Sequence, residues 1–208
     1  MDAPAKTPDT KREQIFQAAV AEFHENGFSA ASMDRISARA GASKRTVYKH
    51  FESKEKLFQE LIRRHWAKFA KGLAVTYAPG RSIRDQLADL GHAEGRLLTS
   101  PEVMATTRMV MSEMLQRPEL VEENEEKTDF KEPVVTLLTR AAEDGQLQLD
   151  DPRDVAEEFI ALLKGKAFWP VVFLGAPVVS VDEMAKIVDN SVDMIMSRYG
   201  AEGVRPLA

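Results

Sequence analysis

Residues 41–51 read GASKRTVYKHF, and extending the stretch back to Arg35 gives RISARAGASKRTVYKHF, with five basic residues (Arg35, Arg39, Lys44, Arg45, Lys49) and no acid. The 208-residue chain around it is acidic, with a net charge of −5; residues 1–60 carry +1 and the remainder −6. A local basic island in an acidic protein suggests that this one place meets a polyanion. The plain alternative is a solvated basic helix face, since charge runs are usually just surface.

Local punctuation argues against that alternative. Ser32 is a helix N-cap residue, and Met33, Ile36 and Ala40 then recur at spacings of three and four, which predicts a short helix over 33–40. Gly41 ends it, because glycine takes the left-handed conformation without steric cost. Ser43 caps the next helix, Lys44 to about Phe51. Two short helices joined only by Gly41 and Ala42 form a helix-turn-helix. Ile36 and Ala40 should pack with Val47 and Phe51. That leaves Arg45, Thr46, Lys49 and His50 free to reach a major groove, Arg for guanine O6/N7 and Thr for a base edge or a thymine methyl. Lys44 and Tyr48 flank them and suit phosphate oxygens, as do the helix N-termini at Ser32 and Ser43.

Outward from this motif the pattern is helical nearly everywhere, so the fold class is all-α, with about nine helices. The first runs from about Thr10 to Asn26 and stops at Gly27. The fourth starts after Ser53 and reaches about Tyr77, where Pro79-Gly80 ends it. Longer helices follow at about 82–98, 101–116, 119–144, 152–175 and 181–199. Pro133 and Pro170 fall inside helical periods and should kink them, because proline removes a ladder bond and crowds the preceding turn. The expected organisation is a flexible arm over 1–9, a DNA-binding head over 10–52, a ligand-binding and dimerisation domain over 53–200, and a flexible tail over 201–208.

The chain has no cysteine, so thiolate metal sites and cysteine nucleophiles are excluded. The polar N-terminus is no signal peptide, and the nearly apolar run 167–179 is too short and too broken to span a bilayer. A soluble, cytoplasmic protein with no membrane association is expected. The four histidines are scattered, without ligand spacing for a metal, and no phosphate loop, HExxH or GxSxG motif occurs. Nothing here calls for an enzyme, a metal or a cofactor.

Residues 29–58, SAASMDRISARAGASKRTVYKHFESKEKLF, resemble the DNA-binding region of the TetR family of bacterial transcriptional regulators. The likeness is carried by Ala40-Gly41, Ser43, Tyr48-x-His50-Phe51, Ser53-Lys54-Glu55 and Leu57-Phe58. Ala42 stands where the family usually has Val, and Arg45 where Gly is common, which adds a charge at the mouth of the recognition helix. The stretches RPELVEENEEK and GQLQLDDPRDVAEEFIALLKG resemble the C-terminal region of the subgroup linked to efflux and quorum-sensing control. The resemblance implies that Ser32, Ser43, Tyr48, His50 and Lys54 contact phosphates or the groove edge, and that Arg45, Thr46 and Lys49 lie nearest the bases. It also implies a homodimeric repressor on a near-palindromic operator of double-stranded DNA, released by a small ligand in the C-terminal helices.

In the C-terminal half, apolar residues cover two faces of 152–175 and a broad stripe of 181–199, which means two partners for these helices. A two-fold contact through Phe159, Leu163, Ile187, Val188, Val192 and Ile195 is the expected dimer interface. For a small apolar effector the candidates are Met104, Arg108, Met111, Phe168, Trp169 and Phe173, since methionine adapts to varied apolar ligands and Arg108 is the one polar group to orient them. A Met or aromatic stripe at helical spacing can equally be plain core. The alternative function is a helical-bundle carrier of small molecules with no DNA role.

Overall fold

The computed structural model describes residues 10–72, 75–122 and 131–201. They form α1 (Thr10–Ala30), α2 (Met33–Arg39), α3 (Lys44–His50), α4 (Lys54–Gly72), α5 (Ile83–Leu98), α6 (Pro101–Gln116), α7 (Glu119–Glu122), α8 (Glu132–Glu143), α9 (Pro152–Ala167), α10 (Trp169–Phe173) and α11 (Val181–Tyr199). Among the described residues the β pairing is one isolated antiparallel bridge, Leu147 to Gly200. The all-α class holds. The arm expected over 1–9 and the tail beyond Ala201 lie outside the described residues.

The chain divides into two compact units, Met1–Trp66 with Met109–Glu126, and Ala67–Arg108 with Lys127–Ala208. The head boundary expected at residue 52 lies inside the first of these. In that unit Phe23 and Phe28 of α1 meet Phe58 of α4, with ring centroids 4.9 to 5.9 Å apart. Ile15, Ile36, Val47, Phe51, Leu57 and Ile62 are buried in the same cluster. The regular part of α1 stops at Gly27, whose φ of 71° is open to glycine at no steric cost. Phe28 then turns back into the core.

The second unit packs α5, α9 and α11 on one another, with α8 on α9. Its core includes Leu87 and Leu90 of α5, Leu138 of α8, Phe159 and Leu163 of α9, and Val188 and Val192 of α11. Gly91 and Gly95 let α5 approach α11 closely: a Cβ at Gly91 would stand 2.8 Å from Val188 Cγ1, and one at Gly95 2.7 Å from Met184 Cγ. Val188 is β-branched and stiff, whereas Met184 can move aside. Gly91→Ala is therefore expected to destabilise the protein by about 1–3 kcal/mol through overpacking, and Gly95→Ala by less. Gly165 on the exposed side of α9 meets nothing within 4 Å, so Gly165→Ala should stabilise by about 0.5–1 kcal/mol. Urea unfolding midpoints of the three variants check the order.

Both interior prolines behave differently from the expectation of kinked helices. Pro133 lies in the first turn of α8, where its missing N–H costs nothing. The helix expected over 119–144 is thus represented by α7 and α8, with 123–130 outside the described residues. Pro170 lies in the first turn of α10, and the chain breaks at Phe168, with φ −110° and ψ −61°. Among the described residues there are thus eleven helices where nine were expected.

Candidate nucleic-acid interface

The helix-turn-helix forms as the residues suggest. Ser32 Oγ accepts from the Arg35 amide at 3.2 Å and Ser43 Oγ from the Thr46 amide at 3.1 Å, so both N-caps are in place. Ile36, Val47 and Phe51 are buried together, with Ala40 packed against them. Gly41 takes φ 54°. The turn is also held from α1: Lys11 Nζ donates to the carbonyls of Ala40 (3.1 Å) and Gly41 (3.0 Å). Nothing in the sequence signals this bond, because its partners are about 30 residues apart.

Folding sorts the five cations of the island. Arg35 Nε bonds Glu22, a carboxylate only 1% exposed, at 2.5 Å. Arg39 forms a two-point pair with Glu25. Lys44 Nζ lies 2.8 Å from Asp34, and this pairing holds its pKa above the ordinary lysine value. Arg45 and Lys49, by contrast, carry no ion pair among the described residues. They are exposed one turn apart on α3, beside a Tyr48 that is 48% exposed. Thr46 shares a 2.8 Å bond with Ser43, and His50 is half-buried at the end of α3.

Lys54, for which the motif implied a phosphate contact, is held by backbone carbonyls. Its ammonium donates to the carbonyls of Phe28 (2.8 Å), Ser29 (3.2 Å) and Ala31 (3.0 Å), and lies 4.6 Å from the Phe28 ring centroid. An ammonium has three donors, and all three are engaged inside the unit. Lys54→Met is expected to lower stability by about 1–3 kcal/mol and to leave the salt dependence of DNA binding by the folded protein unchanged. A log-log salt slope shallower by about 0.9 would instead assign Lys54 to a phosphate.

A charged network ties α1 to α4. Glu60 accepts from Arg63 (2.9 Å) and Arg64 (2.7 Å) and pairs with Arg12 at 3.4 Å. Burial alone would raise its pKa, but the Arg63 and Arg64 hydrogen bonds override that and hold it at about 2. A depressed carboxylate contributes stability that is present above its ordinary value of 4.5 and lost as pH falls through about 2. Glu60→Gln should therefore flatten the acid limb of the stability profile between those values, as followed by denaturant titration at each pH.

In the second unit most of the residues expected at the dimer contact are buried in the core. Phe159, Leu163, Val188 and Val192 are at most 1% exposed, and Ile187 9%, so they face this unit's own core, whereas Ile195, 2% exposed, also lines the groove left open between α9 and α11. The amphipathic pattern could not say which of two apolar faces turns inward. The face left open holds Ala161, Leu162 and Met194, in a groove of about 780 Å3 rimmed by Glu158, Asp193, Arg198 and Tyr199. The effector candidates also scatter. Met104 is fully buried and Arg108 exposed, both in the second unit, whereas Met111 belongs to the first. Phe168 is buried, and Trp169 and Phe173 stack on each other at the surface.

Two family models match the chain. Residues 15–61 match the bacterial regulatory proteins of the tetR family, and residues 85–201 the C-terminal domain of AefR-like transcriptional repressors. An HTH-type transcriptional repressor of Streptomyces coelicolor is 33% identical over 94 residues, which is 45% of this chain and 49% of that protein. A TetR family transcriptional regulator from Pseudomonas syringae pv. tomato superposes with a TM-score of 0.78 at 38% identity, covering 93% of this chain and 99% of that one. SmeT, the repressor of a Stenotrophomonas maltophilia multidrug efflux pump, superposes with a TM-score of 0.64 at 25% identity, covering 94% and 93%. Among the described residues no helix is long and apolar enough to cross a membrane.

Proposed function

This chain belongs to the TetR family of bacterial regulatory proteins, and from that premise we propose that it is a repressor that holds a near-palindromic operator as a homodimer and lets go when a small apolar ligand enters its second unit. The observation that carries the reading is the pair Arg45 and Lys49, exposed and without an ion pair among the described residues, on a helix whose start is fixed by the Ser43 cap and by Lys11 on the turn before it. A guanidinium held on a rigid helix can read guanine bidentately, and a lysine one turn away adds a second cation to the same face. Lys44 and Tyr48 are the flanking phosphate contacts, and Ser32 and Ser43 present helix N-termini to the backbone.

In this reading the partner copy docks on the open groove of α9 and α11. Its apolar floor and mixed-charge rim are self-complementary chemistry for a two-fold contact. Release follows if the ligand binds the two arrangements of the heads with different affinity; equal affinity would shift nothing. The deciding experiment is a fluorescence-anisotropy titration of the full chain with DNA from upstream of its own gene, over a salt series, against scrambled DNA. Tight, salt-sensitive binding to the upstream fragment alone supports the reading. A folded dimer that binds neither DNA at low salt overturns it.

A further inference from the structure

Glu94 of α5 is 1% exposed, and its two carboxylate oxygens are the only buried side-chain polar atoms among the described residues without a hydrogen-bond partner. The neighbouring cation, Lys164 Nζ of α9, is 3.6 Å from Oε1, past hydrogen-bond reach. Burial raises the pKa of Glu94, and Lys164 opposes the rise. A carboxylate so placed is costly unless a closer partner completes it.

The same lysine ammonium lies 5.7 Å from the Phe168 ring centroid. Phe168 meets Trp169 edge-on at 4.7 Å, and Trp169 stacks on Phe173 at 5.5 Å. Exposure climbs along this row, from 5% at Phe168 to 43% at Trp169 and 56% at Phe173. A buried carboxylate and an aromatic ring flanking the same ammonium position are the chemistry that selects an ammonium ion. Lys164 already puts one there, and its four-carbon stem, with the side chain 26% exposed, can carry the charge out to water.

We propose that Glu94 and the aromatic row Phe168–Trp169–Phe173 form the effector's anchoring site, that the effector is an organic ammonium ion on an apolar body, and that Lys164 occupies its place until it binds. This rests on the reading above that the second unit takes a small ligand, and it adds the ligand's charge. The exchange keeps a cation near Glu94 throughout, the ligand's entering at closer range as the lysine's leaves. A neutral ligand of the same shape would leave the carboxylate without a partner, and an anionic one would be repelled.

The test is calorimetric titration of the full chain with octyltrimethylammonium, octanol and octanoate, each below its micellar concentration, with operator binding measured in parallel. Wild type is expected to bind the ammonium at least tenfold more tightly than octanol, with octanoate weakest. Glu94→Gln should lose at least tenfold in ammonium affinity, while Lys164→Met, which removes the competitor, should gain about tenfold. Opposite signs at two neighbouring positions are not what loss of structure produces. Trp169→Ala, at an exposed position, should lose about fivefold and guards against a core variant that fails to fold. Equal binding of the three probes, no ammonium binding by wild type, or weaker binding by Lys164→Met overturns the ammonium site even where operator binding is intact. Loss of operator binding by wild type instead strikes the repressor reading.

Discussion

Arg45→Ala is expected to weaken binding to the upstream operator by about 10- to 100-fold, the range for losing one bidentate guanine contact, with an unchanged thermal midpoint. The expectation follows from what Arg45 does not touch. It is exposed and carries no ion pair among the described residues, so its removal leaves no buried charge and no cavity. Arg39→Ala is the matched control. That arginine is equally basic and lies in the same motif, but it is held by Glu25. A screened surface pair of this kind contributes little to stability, and because its guanidinium is held by Glu25, the change in DNA affinity should be small too. Lys49→Ala should lower affinity less selectively than Arg45→Ala, narrowing the gap between operator and scrambled DNA less. Equal losses for Arg39 and Arg45 in anisotropy titrations would show that net charge, not the placement of one guanidinium, governs recognition.

The largest stability effect is expected in the core of the same unit. Phe58→Ala removes a ring that is fully buried against Phe23 (centroids 5.2 Å, edge-on) and Phe28 (4.9 Å). Deleting a core phenylalanine costs about 3–5 kcal/mol through lost transfer energy and the cavity left behind, and the aromatic geometry adds to it. Phe28 has further duties: its amide donates to Glu113 at 3.3 Å, and its ring lies under both Lys54 (4.6 Å) and Arg117 (5.0 Å). Disturbing its neighbour should therefore loosen the chain reversal that follows α1. Trp66 is packed against this cluster, so its fluorescence during urea unfolding, in a Trp169→Phe background, reports the loss. A midpoint shift worth less than about 1 kcal/mol would mean that the cluster repacks around the missing ring.

Much of the architecture is legible one residue at a time. Gly27, Gly41, Gly80, Gly145 and Gly175 all take positive φ, and each stands where the chain had to stop a helix or turn. Ser32 and Ser43 cap the two helices of the motif by bonds to amides three residues on. Such signals can be read because cause and effect lie within one helical turn. The spacing of Ile36, Val47 and Phe51 likewise fixes which faces of the two short helices meet, since each has a single apolar side.

What the tertiary structure alone decided involves partners far apart in sequence or a choice between equivalent faces. Five cations stand within 15 residues of one another, but Glu22, Glu25 and Asp34 come from outside α3 and withdraw three of them. Lys54 fits a familiar motif, yet it spends its donors on carbonyls more than 20 residues upstream. α9 is apolar on two sides, so only packing against α5 and α11 shows that Phe159 and Leu163 turn inward and Leu162 does not. Nothing in the sequence singles out Glu94, and only the fold encloses it. Helix ends and caps are set by local sterics and short hydrogen bonds, which the sequence carries directly. The pairing of charges and the inward face of a two-sided helix depend on which distant segments arrive, and only the folded chain brings them together.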